Sequence, residues 1–447
     1  MTTRNVPALG CPLAPPDACA RCAVDGLLPA VVAVPGSVEE VASVLRAAHE
    51  ERLAVAPWGG GTQMALGNPP ARLDVALDLS RLDAVVEHAP ADLTVTVQAG
   101  VTLATLNARL ARAGQCLPLD PPLARRATVG GTLAANASGP LRQRYGTARD
   151  FTLGVRVAQA GGVVTKAGGR VVKNVAGYDL TRLYTGSLGT LGVIVEATFK
   201  VAPLPRVEST ALAVFSAIGQ AQEAALALLR RGVRPLALDI LSRGAARRVE
   251  AATGVALPTG SFLLAARFGG TALAVERMER EMAALSTLRR AQGERWIVLR
   301  DEGRRRFWEA VADYGCDGAK PPTLVATATM LPTQIPAFVE AAFAEGGSGG
   351  LAPEVVARAG VGVVRTFWRA ADPLAADAPA VARAVAALRE HAAAMGGTLV
   401  VEACAAEAKR QVDVWGPPGP DIEVMRRIKA QFDPRGVLNP GRFIGGI

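Results

Sequence analysis

The apolar positions of this 447-residue chain change rhythm near residue 205. Before that point short apolar runs alternate with polar turns. Residues 28–34, 52–56, 75–79, 84–87, 93–98, 152–158, 163–166 and 193–201 are rich in Val, Leu and Ala and bounded by Gly, Pro or Asp, which predicts strands. Pro35-Gly36 turns the chain, and Ser37 with Glu40 predicts a capping box for a helix running to about Glu51. Residues 102–113 show helical spacing of apolar positions and stop at Gly114. Ala160-Gly161-Gly162 reads as a hairpin turn, and Pro203-Leu204-Pro205 marks a boundary.

Beyond the boundary, strand-like runs at 211–215, 237–241, 262–268, 296–299, 324–329, 362–367 and 399–403 alternate with long Ala- and Arg-rich helices at 220–231, 273–288, 332–344 and 376–395. That alternation predicts an α+β domain built from two β-α-β-type halves. Residues 345–351, reading EGGSGGL, look like a flexible surface loop, and 422–432 like a last helix. The expected division is an N-terminal extension (1–27), a first domain (28–205), a second domain (206–412) and a closing segment (413–447).

The first domain gathers glycine in three turns. In Gly186-Ser187-Leu188-Gly189-Thr190-Leu191-Gly192, glycines recur at every third position before a β-branched strand. Glycine lets backbone N–H groups approach a ligand closely. Pro57-Trp58-Gly59-Gly60-Gly61-Thr62 follows a strand and can aim several amides at a diphosphate, or serve equally as a structural turn. It lacks the Lys-Ser/Thr of a Walker loop and the G-x-G-x-x-G of a dinucleotide fingerprint. Residues 127–139 mix Thr128, Thr132, Asn136 and Ser138 with small residues that admit a flat ring or a phosphate, or allow tight helix–sheet packing. Tyr145 and Asp150 follow as site candidates. Residues 168–195 carry Lys173, Asn174, Tyr178 and Asp179. A Lys and a Tyr near a bound ring can bind a carboxylate or steady developing negative charge. Tyr178 can equally cover a core, and Asp179 can cap the helix at 180–184.

Composition narrows these readings. The chain is too long for one typical core and half its residues are hydrophobic. No apolar run is long enough to span a bilayer, and the first residues contain no apolar signal core, so a cytoplasmic protein is expected. The net charge of +9 attracts anionic partners or is spread over a solvated surface. No basic block is interleaved with aromatics, so nucleic acid is not an expected partner. Cys11, Cys19 and Cys22 cluster, but Cys19-x-x-Cys22 has no second pair of the kind that zinc or iron–sulfur sites use. His49, His88 and His391 make no ligand pair, and no metal site is expected.

Taken in order, PWGGGT, ATVGGTLAANASGP, RYGTARD, KNVAGYDL, GSLGTLGVI and the terminal FDPRGVLNPGRF resemble the vanillyl-alcohol oxidase / p-cresol methylhydroxylase-type FAD-binding family. They look most like the FAD-binding subunits of glycolate-oxidase-type complexes. The resemblance is strong over 31–205 and good over the last thirty residues. In between it is loose, with FWEAVADY the most family-like piece. It implies a fold with a two-subdomain PCMH-type FAD-binding domain, an α+β cap domain and a C-terminal segment returning to the first. It further implies that Trp58, Gly59, Gly60, Gly61, Thr62 and Gln63 hold the pyrophosphate. Thr128, Val129, Gly130, Gly131, Asn136, Ser138 and Gly139 would line pyrophosphate and flavin, with Gly146 and Asp150 nearby. Gly189, Thr190, Gly192, Val193 and Ile194 would offer backbone groups to the cofactor.

Three departures bear on function. The first loop has no His to attach a flavin, which predicts non-covalent FAD. The cap histidines and the Glu-His with which relatives hold metal and substrate are missing, His391 being alone in the C-terminal half. Leu188 stands where many relatives have Glu. Removal of hydride from a 2-hydroxyacid usually needs a base for the hydroxyl proton, and only Lys173, Tyr178 and Tyr145 offer themselves. Three readings follow. The chain is an FAD subunit that supports 2-hydroxyacid oxidation beside a sister flavoprotein subunit and an iron–sulfur subunit, peripheral at the inner membrane through them. Alternatively it is a self-sufficient FAD dehydrogenase without a metal, or a flavin-free scaffold.

Overall fold

The computed structural model describes residues 6–170, 177–287, 296–316, 321–349, 351–370 and 378–447. The chain forms two compact units. The first comprises Met1–Ser138, Thr147–Leu204 and Asp413–Ile447, the second Gly139–Gly146 and Pro205–Val412. Helices and sheets are mixed in both, the α+β class expected.

Among the described residues the first unit holds a short antiparallel pair, Gln115–Cys116 with Ala202–Pro203, and two main sheets. In the smaller, Val75–Asp78 lies between Val31–Ala33 and Val55–Trp58, all parallel. Val55, Val75 and Leu77 are fully buried, as expected for parallel strands covered on both faces. The helix Val38–Glu50 packs Val41, Val44, Leu45 and Ala48 into the same core. Its start differs slightly from a capping box. Ser37 accepts from the Glu40 amide at 3.1 Å, but the Glu40 carboxylate reaches back to Gly36, one residue earlier, at 2.6 Å. The C-terminal segment adds to this sheet, because the Val55 amide donates to Val437 and the Asn439 amide donates to Val55.

The larger sheet of this unit has five antiparallel strands in the order Val85–Ala89, Thr94–Gln98, Val193–Lys200, Thr152–Ala158, Val164–Gly168. The predicted hairpin turn joins the last two. Leu103–Ala111 is helical, with Thr102 as its N-cap.

The second unit is built on one antiparallel sheet of eight strands among the described residues. Their order is Trp296–Leu299, Val207–Phe215, Phe262–Gly270, Ala237–Ser242, Leu351–Arg358, Val363–Ala370, Leu324–Thr329, Thr398–Cys404. The expected halves meet where Ala237–Ser242 pairs with Leu351–Arg358. Helices Arg243–Thr253 and Asp301–Ala312 pack Ala245, Val249, Phe307, Trp308 and Val311 against Leu212, Leu241 and Leu263 of one face.

One element corrects the sequence reading. Residues 345–349 are not a loop but close the helix Ile335–Gly349, and 351 opens the strand Leu351–Arg358. A Cβ on Gly346 would lie 2.3 Å from Pro353 Cδ, so glycine there lets the helix close onto the next strand. Pro353 disguised that strand. It pairs with Trp368 on one side only, a position where a missing N–H costs little.

Candidate functional site

Three turns of the first unit meet at one cleft. The first turn leaves the strand Val55–Trp58. Its tightest point is Gly60, where a Cβ would lie 1.8 Å from the Arg126 carbonyl. The amides of Gly59, Gly60 and Gly61 donate to no acceptor among the described residues. Arg126 donates to the Gly60 carbonyl at 3.1 Å.

The second turn opens the helix Val129–Ala135. Thr128 caps it by accepting from the Gly131 amide at 3.2 Å. The helix ends at Asn136, whose φ of +47° is left-handed. The third turn precedes the strand Val193–Lys200. The C-terminal segment supplies a fourth wall with Asn439 and Arg442.

Arg442 is almost wholly buried. Its guanidinium donates to the carbonyls of Met64 and Leu66, and its own carbonyl accepts from Trp415 Nε1 at 3.0 Å. Burial pulls its pKa down, opposed by Asp25 at 3.7 Å, yet a guanidinium stays charged at neutral pH. Asn439 donates to the Leu188 carbonyl at 2.6 Å, while its buried Oδ1 has no partner among the described residues. Orphan backbone amides and one fixed cation around small residues suit a polyanionic group, and the orphan Asn439 Oδ1 suits a hydrogen-bond donor such as a ring N–H.

The structure places the named residues as follows. Trp58, Gly59, Gly60, Gly61, Thr62, Gln63, Thr128, Gly130, Gly131, Gly189, Gly192, Val193 and Ile194 line the cleft. Val129, Asn136, Ser138 and Thr190 do not. Val129 is core, and the Thr190 hydroxyl donates to Ser187 at 2.7 Å. Asp150 accepts from the Thr147 amide at 2.7 Å and from its hydroxyl at 3.1 Å, closing a capping box at Ala148–Phe151. Gly139, Tyr145 and Gly146 fall in the second unit, around the short helix Arg142–Tyr145.

Tyr178 is 94% exposed and does not line the cleft. Asp179 accepts from the Arg182 amide at 3.2 Å, the capping alternative for that residue. Lys173 and Asn174 lie outside the described residues. His391 sits 3.4 Å from Glu345 in the second unit, and no group of three or more His, Cys, Asp or Glu is placed to hold a metal among the described residues. Cys19 and Cys22 are free thiols packed with Val32, Ala76 and Trp58.

Sequence reasoning missed Met64, Leu79, Ala99, Ala134 and Ala135 as lining residues. It quoted Asn439 and Arg442 within the terminal motif but gave them no role.

Comparison with known proteins defines the class as FAD-linked oxidoreductase. An FAD binding domain family matches residues 29–168, and the C-terminal domain family of FAD linked oxidases matches residues 204–443. The chain therefore belongs to the FAD-linked oxidases. FAD is its cofactor, and the residues facing the cleft fit such a group. The glycolate oxidase subunit GlcD of Bacillus subtilis (strain 168) is 29% identical over 93% of this chain and 89% of its own length. The glycolate oxidase subunit GlcE of Escherichia coli (strain K12) is 42% identical over 33% of this chain and 42% of its own. Among solved structures, p-cresol methylhydroxylase with bound substrate has a TM-score of 0.70 at 16% identity, covering 93% of this chain and 88% of that one, which shows a shared fold. No helix among the described residues is long and apolar enough to cross a membrane.

Proposed function

We propose that this chain is the FAD-binding subunit of a glycolate oxidase/dehydrogenase-type complex, acting on the CH–OH group of a small 2-hydroxyacid and passing the electrons to partner subunits. The observation that carries the reading is the convergence of three glycine turns and Asn439 on one cleft of the first unit. Bound FAD supplies the two-electron acceptor. The chain's own groups do the rest. The amides of Gly59, Gly60 and Gly61 receive the diphosphate, and Thr128 orders the helix start at Gly130 and Gly131 beside it. Gly189, Gly192, Val193 and Ile194 present backbone to the ring side. In this reading residues 28–205 and 413–447 hold FAD and 206–412 form the cap. The cofactor is non-covalent in this reading, because the first loop has no His to attach a flavin.

The partner half of the proposal is supported by two relatives that are themselves named as subunits of glycolate oxidase. It is supported also by the lack of a base at the positions where relatives keep His. Partners are a sister flavoprotein subunit and an iron–sulfur subunit, in the cytoplasm. The test is anaerobic flavin reduction against a panel of 2-hydroxyacids that includes glycolate and D-lactate, with and without co-expressed subunits. The expected result is a yellow protein whose colour is bleached only in the complex, and whose FAD is released on acid precipitation. Bleaching by substrate with the chain alone establishes a self-sufficient dehydrogenase instead. A colourless protein that takes up no FAD overturns both.

A further inference from the structure

We propose that the buried pair Lys429–Asp433, together with Asn439, is a clamp that holds the third glycine turn in a strained backbone conformation, and that tight FAD binding depends on this clamp. The proposal rests on the assignment of the cleft to FAD. Leu188 has a φ of +52° and Asn439 a φ of +42°, and both residues line the cleft. A leucine in the left-handed region is strained, and such strain persists only where the surroundings over-determine it.

The surroundings here do so. The Leu188 amide donates to the Ala134 carbonyl at 2.8 Å, and its carbonyl accepts from Asn439 Nδ2 at 2.6 Å. Two residues on, the Thr190 carbonyl accepts from Lys429 Nζ at 2.8 Å. The same ammonium donates to the carbonyl of Leu438, the residue before Asn439, at 2.9 Å, and to Asp433 Oδ2 at 2.7 Å. One cation thus bridges the segment that carries the strained Leu188 and the segment that carries the left-handed Asn439. Asp433, whose side chain is 0% exposed, also accepts from the amides of Val437 at 3.0 Å and Leu438 at 2.8 Å, which fixes the segment leading into Asn439.

Lys429 sits on Ile422–Phe432, a helix with no fully buried residue, yet its own side chain is only 12% exposed. All three of its donors are used, two of them on backbone carbonyls. Surface packing does not require an ammonium to be withdrawn from water in this way, and the withdrawal is costly unless every donor is satisfied. The arrangement makes Lys429 a positioning residue for the turn.

The clamp matters because Leu188 is not glycine, which gives the test its form. FAD dissociation constants of the apoprotein are measured by fluorescence titration, beside its thermal midpoint. Lys429→Met with Asp433→Asn removes both charges together and leaves no carboxylate unpaired. It is expected to weaken FAD at least about tenfold. Adding Leu188→Gly, which removes the strain at φ +52°, is expected to restore affinity to within about threefold. A pair that only stabilised the fold would lower the midpoint and show no rescue by Leu188→Gly. An unchanged constant in the double variant, or a triple variant as weak as the double, overturns the clamp. Should the double variant not fold, Asn439→Ala replaces it: rescue of its weakened binding by Leu188→Gly supports the clamp, and no weakening or no rescue overturns it. Wild-type protein that takes up no FAD overturns the cofactor assignment itself, which no variant result can mimic.

Discussion

In the first unit, the turns at 57–63 and 186–192 bring backbone amides and carbonyls to the edge of a cleft, and Asn439 turns an unpaired oxygen into the same region. In the second unit, acidic side chains are closed by arginines. Glu208 accepts from Arg267 and Arg304, at 2.7 and 2.8 Å. Glu354 accepts from Arg248, Arg369 and the Tyr314 hydroxyl. Glu402 accepts from Arg365 and Thr327. The first unit therefore keeps polar capacity for a ligand, whereas the second uses these charges to order its sheet. The difference teaches where to look for function: satisfied charges hold a fold, and unsatisfied backbone marks a site.

The sharpest way to break this contrast is Gly60→Ala. With a Cβ 1.8 Å from the Arg126 carbonyl, the turn must open, and the protein is expected to purify colourless. Full flavin absorbance in that variant would remove the basis for reading the turn as a cofactor cradle.

Glu208→Ala probes the other side. It leaves Arg267 and Arg304, each 18% exposed, without their shared carboxylate. A cost of about 2–3 kcal/mol in urea unfolding is expected, the partial exposure moderating a fully buried break. Flavin per folded molecule should not change. Loss of flavin at unchanged stability would invert the assignment of roles.

Acid gives a smaller effect. Burial pushes the Glu354 carboxyl up, but hydrogen bonds from Arg248, Tyr314 and Arg369 outweigh it and hold it below the ordinary carboxylate value. A depressed carboxyl contributes stability above the unfolded value, about 4.3, which is lost as pH falls through the folded one. The unfolding midpoint should therefore drop below about pH 4, and Glu354→Gln should flatten that part of the curve. An unaltered slope in the variant would show that this cluster is not the acid-sensitive element.

The least effect is expected from Arg305→Ala. Its pairs with Glu302 and Glu309 lie on the solvent face of Asp301–Ala312, where water screens them, and the midpoint should stay unchanged within error.

Much of the fold was legible because local rules and tertiary packing agree. Ser37, Thr102 and Gly114 marked helix ends by their own chemistry, and strand runs such as 75–79 lack any competing pattern. Where the two disagree the sequence misled. EGGSGGL has loop composition, but its glycine at 346 serves close packing of a helix end. The strand after it carries a proline at a position where only one neighbour pairs.

The chain by itself determined the alternation of elements and the three glycine turns, because each of these depends on residues near one another in sequence, and the class of cofactor followed from the family those turns resemble when taken in order. Only the tertiary structure decided which turn residues face the cleft. Leu188 and Gly189 do and Thr190 does not, since consecutive residues in a tight turn point different ways. Only it could bring Asn439 to Leu188 across 251 positions and Lys429 to Thr190 across 239. Contacts at such separation leave no local pattern, and it is these that hold the third turn in the strained shape the cleft uses.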